Sequence, residues 1–193
     1  MDESECFDRL ATDDDFQRYL GMVVRVMQII VFALTMGVVI FGVIVVVVQG
    51  FPAAAFRVDG SLLGWIAGGF TAVILAVRPI VLAAITTAAR KGDPTAFGAG
   101  VNTAGVPPFV RELQQRLPTV AHWLDTYQVR LIIGCAFLEG AAFFNLVACF
   151  VDPWIGNFAV AGALVVLLLL QFPTRDRVVD WVGQQIRQSR IEA

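Results

Sequence analysis

Four long apolar stretches, separated by polar connections, dominate the pattern of this chain. They run approximately from Met22 to Val48, Leu62 to Ala89, Leu131 to Val151 and Trp154 to Phe172. A helix crosses a ~30 Å hydrocarbon core in about 20 residues, because each residue adds about 1.5 Å. Strands of that length are improbable, whereas a helix satisfies every backbone hydrogen-bonding group within lipid. The pattern therefore predicts an all-α membrane protein with four transmembrane helices.

Polar segments divide these spans into two tandem helical hairpins with flanking helices. The parts are an N-terminal arm (1–21), a first transmembrane hairpin (22–89), a loop with an amphipathic helix (90–128), a second hairpin (129–172) and an amphipathic tail (173–193). Apolar residues share one helical face in the loop and in the tail: Val110, Leu113 and Leu117, then Val178, Val179, Val182 and Ile186. We expect such helices to lie in the membrane interface. The alternative is that the loop or tail binds a partner helix.

Composition supports lipid as the solvent. Hydrophobic residues make up 58% of the chain and charged residues 16%, against ~45–50% and ~25% in soluble domains. The mean hydropathy is +0.74. The net charge is -2, whereas proteins that bind nucleic acid carry an excess of basic residues. We therefore predict no nucleic-acid partner.

Basic residues predict the orientation of the spans. They concentrate in the arm, the central loop and the tail: Arg9, Arg18, Arg25, Arg90, Lys91, Arg111, Arg116, Arg130, Arg175, Arg177, Arg187 and Arg190. The opposite side carries only Arg57. The positive-inside rule then places both termini in the cytosol, and Trp65 and Trp154 at the opposite interface. The valine- and alanine-rich composition with short loops favours a bacterial plasma (inner) membrane.

The first and third spans show a weak internal repeat. When the first span is aligned with the third at a constant offset of 103 residues, five residues between positions 29 and 44 are identical to their counterparts. The pairs are Ile29 and Ile132, Ile30 and Ile133, Ala33 and Ala136, Gly37 and Gly140, and Phe41 and Phe144. Internal repeats are common in membrane transport folds, which favours the tandem-hairpin interpretation.

Glu139 is the most informative polar position. It lies about 13 Å beyond Arg130 along a helix, hence near mid-membrane, where an ionised carboxylate costs at least roughly 2.5–3.5 kcal/mol. Desolvation there favours the neutral acid, so Glu139 is a candidate proton or cation carrier, with Asn145 as a second polar group. The alternatives are a structural ion pair with Arg78, the candidate partner, or a contact between subunits. Arg78 is also placed to extend to the cytosolic interface.

The stretch LEGAAFFNLV (138–147) resembles the ion-carrying helix of the proteolipid c subunits of rotary ATPases. In the vacuolar-type members two hairpins are fused, and one essential glutamate is retained, which this layout resembles. The resemblance implies an ion-binding carboxylate at Glu139, with Met36 in the equivalent place of the first hairpin. The long central loop, the tail and the arm are absent from typical c subunits, whose first helix is also richer in glycine. We therefore expect a c-subunit-like membrane protein other than an ATPase subunit.

Small residues lead to the favoured function. Glycine and alanine allow close helix approach in lipid, and the candidate packing positions are Gly37, Gly68, Gly69, Gly140 and Ala141. We expect a structural or scaffolding protein that forms a homo-oligomer, as a ring or small assembly. The alternative is a proton- or cation-translocating or coupling subunit that uses Glu139.

Enzymatic features are lacking, and we predict no enzyme, metal site or cofactor. A lipid-modifying enzyme with Arg78, Glu139 and His122 is disfavoured, because these residues are far apart along the membrane normal. His122 is the single histidine, so no metal-ligand set is built from it. The three cysteines, Cys6, Cys135 and Cys149, lack CxxC spacing, and we interpret them as packing residues.

Overall fold

The computed structural model describes residues 14–49, 62–92 and 118–191. Within these ranges the chain forms five α-helices and no β-strand. The helices are α1 (Asp14–Gln49), α2 (Leu62–Arg90), α3 (Pro118–Val151), α4 (Ile155–Leu170) and α5 (Arg175–Ile191). The predicted all-α fold is confirmed for this part of the chain. The predicted roles of Cys6, Arg57, Val110, Leu113 and Leu117 fall outside the described residues.

Three helices, α1, α2 and α3, are long and apolar enough to cross a membrane, and a fourth span arises only if α4 and α5 count together as one broken span. Alone, α4 has 16 residues, which is about 24 Å and shorter than a ~30 Å hydrocarbon core. Three of the four predicted spans therefore have helices of sufficient length, and the fourth is shorter than the sequence pattern indicated.

Two helices begin well before the spans predicted from hydropathy. α1 begins at Asp14 rather than near Met22, and α3 begins at Pro118 rather than near Leu131. In α3, proline suits the first position of the helix, and neither glycine nor a second proline occurs between Pro118 and Leu131. The polar segments that precede the first and third spans are thus the opening turns of the same helices.

The residues form two compact units, each built from segments far apart in sequence. The flanking unit comprises the described parts of 1–28, 83–131 and 173–193, and the span unit comprises those of 29–82 and 132–172. Both predicted hairpins contribute to the span unit, and the predicted arm, loop and tail contribute to the flanking unit. The repeat relationship between the hairpins stays a prediction.

The flanking unit has an apolar core to which α1, α3 and α5 all contribute. Its buried members are Phe16, Tyr19, Leu20, Val24, Val120, Trp123, Leu124, Val178, Val182 and Ile186. The tail was expected to rest its apolar face on the membrane surface. That expectation is wrong, because Val178, Val182 and Ile186 are at most 3% exposed and pack within this core. The apolar face of the tail packs against helices of the same chain, and a protein partner at the loop or tail stays a prediction.

α3 is the central helix of the span unit. Half of its most apolar 18-residue stretch is buried, against 22% in α1 and 11% in α2. Cys135 and Cys149 of α3 are completely buried, which confirms their interpretation as packing residues. Trp65 and Trp154, predicted at the same membrane interface, lie with ring centroids 6.1 Å apart.

Candidate functional site

Arg78 is the centre of a polar cluster in the span unit. It interrupts the apolar sequence of α2 immediately before Pro79, through which the helix continues. The Arg78 Nε donates a hydrogen bond to the Gly134 carbonyl oxygen at 3.1 Å, and Nη2 donates to Gln171 Oε1 at 2.5 Å. Three helices therefore meet at this guanidinium, since Gly134 belongs to α3 and Gln171 caps α4.

Gly134 admits the guanidinium because it has no side chain. A Cβ atom at this position would lie 3.3 Å from Arg78 Nη2 and 3.4 Å from Gln171 Oε1. The first distance is tighter than ordinary van der Waals contact and the second is at its lower limit, so an alanine would require the guanidinium to shift by a few tenths of an ångström. The absent side chain of Gly134 thus creates a notch in α3, and the Arg78 side chain occupies it.

Gln171 was not selected from the sequence, although it orients the cluster. Its Nε2 donates to the Leu167 carbonyl oxygen at 3.2 Å, which directs Oε1 toward Arg78. The Cys135 thiol donates a weak hydrogen bond to the same oxygen, with Sγ 3.8 Å from Gln171 Oε1. The available signal was a glutamine directly after the LVVLLLL run, since a polar amide at that boundary needs partners.

Glu139 lies one helical turn beyond Cys135 and is half-buried. Its Oε1 packs over the bare backbone of α1 at Gly37, where an added Cβ would be 3.7 Å away. Arg78 does not serve as its ion-pair partner, because the guanidinium bonds to a carbonyl and an amide oxygen instead. Within the described ranges, the structure gives the Glu139 carboxylate no hydrogen bond or ion pair.

Asn145, the second candidate ion ligand, does not join Glu139. Its side chain is completely buried, and Nδ2 donates to Thr71 Oγ1 at 2.6 Å and to the Ala141 carbonyl at 2.8 Å. The Thr71 hydroxyl in turn donates to the Ala67 carbonyl at 3.0 Å. Asn145 therefore links α3 to α2, and no pattern in the sequence indicated that the Thr71 hydroxyl would accept this hydrogen bond.

Buried amides remain without partners in the span unit. Among the described residues, Asn145 Oδ1 and both polar atoms of the Asn157 side chain have no hydrogen bond. Asn157 is completely buried in α4, and no sequence pattern marked it. An unpartnered buried amide costs about 1–3 kcal/mol, so these atoms lower the stability of the span unit.

The small residues proposed for helix packing divide into two groups. Gly68, Gly69 and Gly140 have open space where a side chain would extend. Gly37 contacts Glu139 and Phe143 of the same chain, and Ala141 is completely buried. The first three are available to a neighbour, whereas the last two already serve packing within the span unit.

His122 belongs to the flanking unit, unlike Arg78 and Glu139. Its Nε2 lies 3.1 Å from the Ala89 carbonyl oxygen. Because a carbonyl can only accept, this contact requires the hydrogen on Nε2. In the described part of the chain no three His, Cys, Asp or Glu side chains group as a metal site would require.

Comparison with known proteins adds no family to this geometry: no family model, curated protein or solved structure matches the chain. Its function is therefore argued from its own residues. The span unit supplies a fixed cation at Arg78, a carboxylate at Glu139 with no partner among the described residues, and an open face of small residues on α2.

Proposed function

We propose that this chain is a multi-pass membrane protein that forms a homo-oligomer in the plane of the bilayer and acts as a structural scaffold. The observation that carries this proposal is the exposure of α2. Only 11% of its most apolar 18-residue stretch is buried, against 50% of that in α3. An apolar helix with so few internal contacts is available both to lipid and to a second copy.

Small residues on α2 favour the second copy. Gly68, Ala72 and Ala76 recur at four-residue intervals and so lie along one side of the helix. Gly68 has open space at its missing side chain, and Ala72 and Ala76 are exposed. Small residues at this spacing let two helix backbones approach closely in lipid, where packing replaces the hydrophobic effect as the driving force.

The proposed orientation places the N-terminus, the central loop and the C-terminus in the cytosol of a bacterial plasma membrane. The distribution of arginine and lysine supports it, because basic residues concentrate on the cytosolic side of membrane proteins. The grouping of these three segments in one unit with an apolar core is consistent with a common aqueous location.

Oligomer mass tests the scaffold proposal. We expect the wild-type chain to be oligomeric in mild detergent, and Ala72→Leu to shift it toward the monomer, because leucine holds the helices apart. Ala163→Leu is the control, since Ala163 is equally exposed but lies on α4. A wild-type chain that is strictly monomeric by light scattering and in nanodiscs contradicts the proposal.

A second candidate function is proton or cation transfer through Glu139. The specific observation is that this carboxylate is half-buried in an apolar unit and has no partner among the residues described. The likeness of LEGAAFFNLV to c subunits supplies the chemistry, in which the acid is neutral in lipid and ionised beside an aqueous path.

Flux measurements in proteoliposomes test the second candidate. Glu139→Gln keeps the size of the side chain but removes its titration, so proton or cation flux should fall to the level of empty vesicles. Asp125→Asn is the control, because Asp125 is an exposed carboxylate of the flanking unit. Unchanged flux in Glu139→Gln, or no flux in the wild type, eliminates this function.

A further inference from the structure

We propose that the Arg78 guanidinium, held in the Gly134 notch, binds the phosphate group of an anionic phospholipid. This inference rests on the proposed location in a membrane, but it is independent of the oligomer and of ion transfer. The proposal assigns a ligand to the Arg78 cluster, which has no role in proton or cation transfer through Glu139.

The hydrogen-bond inventory of Arg78 leaves donors for a ligand. A guanidinium carries five N–H groups, and the protein accepts one from Nε and one from Nη2. The other Nη2 hydrogen and both Nη1 hydrogens remain. No acidic side chain in the described ranges forms an ion pair with Arg78. A fixed cation with unused donors on one edge suits the oxygens of a phosphate, which arginine binds in a forked geometry.

The protein holds the guanidinium before any ligand arrives. Gly134 provides the notch, and a Cβ there would lie 3.3 Å from Nη2. Gln171 fixes the same nitrogen, and is itself fixed by its hydrogen bond to the Leu167 carbonyl. Because the side chain is already ordered, less conformational entropy is lost when the phosphate binds.

The position of Arg78 along α2 matches the level of lipid headgroups. A span of about 20 residues from Leu62 ends near Leu82, which is also where α2 leaves the span unit. Arg78 is four residues before this point, or about 6 Å along the helix. A long arginine side chain covers that distance while its stem stays in apolar surroundings, so the guanidinium reaches the phosphate level from within the span.

Apolar surface beside the cluster favours a lipid over a free anion. Leu75 lies one turn before Arg78 on the same side of α2 and is 40% exposed, and Phe172, next to Gln171, is 36% exposed. These side chains offer contact to acyl chains at the point where Arg78 offers charge to the headgroup. A soluble phosphate would use only the charge.

Lipid retention tests the site. The full chain is purified in mild detergent, mixed with micelles containing equal phosphatidylglycerol and phosphatidylcholine, and the lipids that co-elute are counted by mass spectrometry. We expect preferential phosphatidylglycerol binding, and at least about a fivefold loss of that preference in Arg78→Gln, the effect of about 1 kcal/mol for one interfacial arginine. Arg25→Gln is the control, because Arg25 is an exposed arginine of α1 outside the cluster.

Two further variants separate the notch from general charge attraction. Arg78→Lys keeps the charge but loses the fork, and Gly134→Ala keeps every charge but displaces the guanidinium, so both should weaken the preference. Helical circular dichroism and oligomer mass establish that each variant is folded. Equal loss in Arg25→Gln, or full retention in both Arg78→Gln and Gly134→Ala, overturns the site.

Competition by inorganic phosphate, the oligomeric state and the solubility of the chain without detergent decide between the remaining interpretations. If 10-fold excess inorganic phosphate removes the bound phosphatidylglycerol, the site belongs to a soluble anion and the lipid proposal is wrong. An Arg78-dependent lipid preference in a strictly monomeric chain supports the site while removing the scaffold function. A chain that stays soluble without detergent eliminates the membrane location, and with it both proposals.

Discussion

The two units of this molecule expose different kinds of side chain. In the flanking unit the interior is a cluster of aromatic and aliphatic residues such as Phe16 and Trp123, and charged residues such as Arg18, Asp176 and Arg187 are exposed. This is the arrangement that water imposes, since burial of apolar surface is its main driving force. The flanking unit therefore has the organisation of a small soluble helical domain.

The span unit also has an apolar interior, but its outer surface is apolar as well. Large apolar side chains such as Ile40, Val47 and Ile80 are more than half exposed, whereas Thr71, Asn145 and Asn157 are buried. Exposed apolar surface of this extent is stable only when the surroundings are apolar. The exposed surface, rather than composition alone, therefore distinguishes the part suited to water from the part that the proposed membrane surrounds.

The largest expected effect comes from emptying the flanking core. Leu124 is 2% exposed, and Leu124→Ala should lower the free energy of unfolding by about 2–5 kcal/mol, because it removes apolar contacts and leaves a cavity. Leu169→Ala makes the same chemical change at a residue of α4 that is 53% exposed, and should change stability by less than about 0.5 kcal/mol. SDS titration in micelles, followed by circular dichroism, measures both.

An equal loss of unfolding free energy in Leu124→Ala and Leu169→Ala would contradict this difference between the two units. It would mean that Leu169 is covered as completely as Leu124, either by a second copy of the chain or by a rearranged span unit. Repeating the titration at several protein concentrations separates these cases, because only the first depends on concentration.

A charge placed on the outside of each unit gives the next largest effect. Ile40 is 54% exposed near the middle of the apolar part of α1, and Ile40→Asp should cost roughly 2.5–3.5 kcal/mol if lipid surrounds it. Arg187→Asp, on an exposed face of α5, should be nearly neutral. Resistance of the chain to alkaline extraction from membranes is the measurement, and equal membrane retention of both variants would argue that water reaches Ile40.

Sequence periodicity predicted the helices of both units but only part of their packing. The apolar lengths predicted four spans, of which three have helices long enough to cross a membrane. The shared face of Val178, Val182 and Ile186 was visible in the tail. What covers that face was not visible, since local spacing describes a single helix and not its neighbour. The tail was therefore placed on lipid, whereas it packs in the flanking core.

The Arg78 cluster shows the same limit of sequence reasoning in the span unit. Arg78 was identified from its rarity in an apolar helix, but its partners Gly134 and Gln171 are 56 and 93 positions away. Glu139 was the partner suggested by charge. The structure pairs the guanidinium with a backbone carbonyl instead, because a glycine leaves that carbonyl accessible and no sequence pattern reports such access.

A smaller effect is expected from the buried hydrogen bond between Asn145 and Thr71. Thr71→Val removes the oxygen that accepts from Asn145 Nδ2 at 2.6 Å, while it keeps the shape of the side chain. Interhelical hydrogen bonds of this type are worth about 0.6 kcal/mol on average and at most about 1.7. Thr87→Val is the control, since Thr87 is exposed and makes only the local bond to the Ala83 carbonyl. A Thr71→Val variant as stable as Thr87→Val would show that Asn145 finds another acceptor.

The smallest effect on stability should come from removing the His122 hydrogen bond. We expect water to replace the lost donor in the flanking unit, whereas it would not do so in the span unit. The Ala89 carbonyl, in the last turn of α2, accepts from His122 Nε2 at 3.1 Å and from the Gly92 amide at 3.2 Å. His122→Phe removes the first donor but keeps a ring against Trp123. Because Gly92 still donates to the carbonyl, the free energy of unfolding should fall by at most about 0.5 kcal/mol, the lower end for one hydrogen bond. Amide hydrogen exchange at Gly92 should rise slightly, because the carbonyl is then held by one donor and by water. A loss comparable to that of Leu124→Ala would mean that this turn is sealed from solvent. The flanking unit would then share the sensitivity to lost hydrogen bonds that we expect only in the span unit.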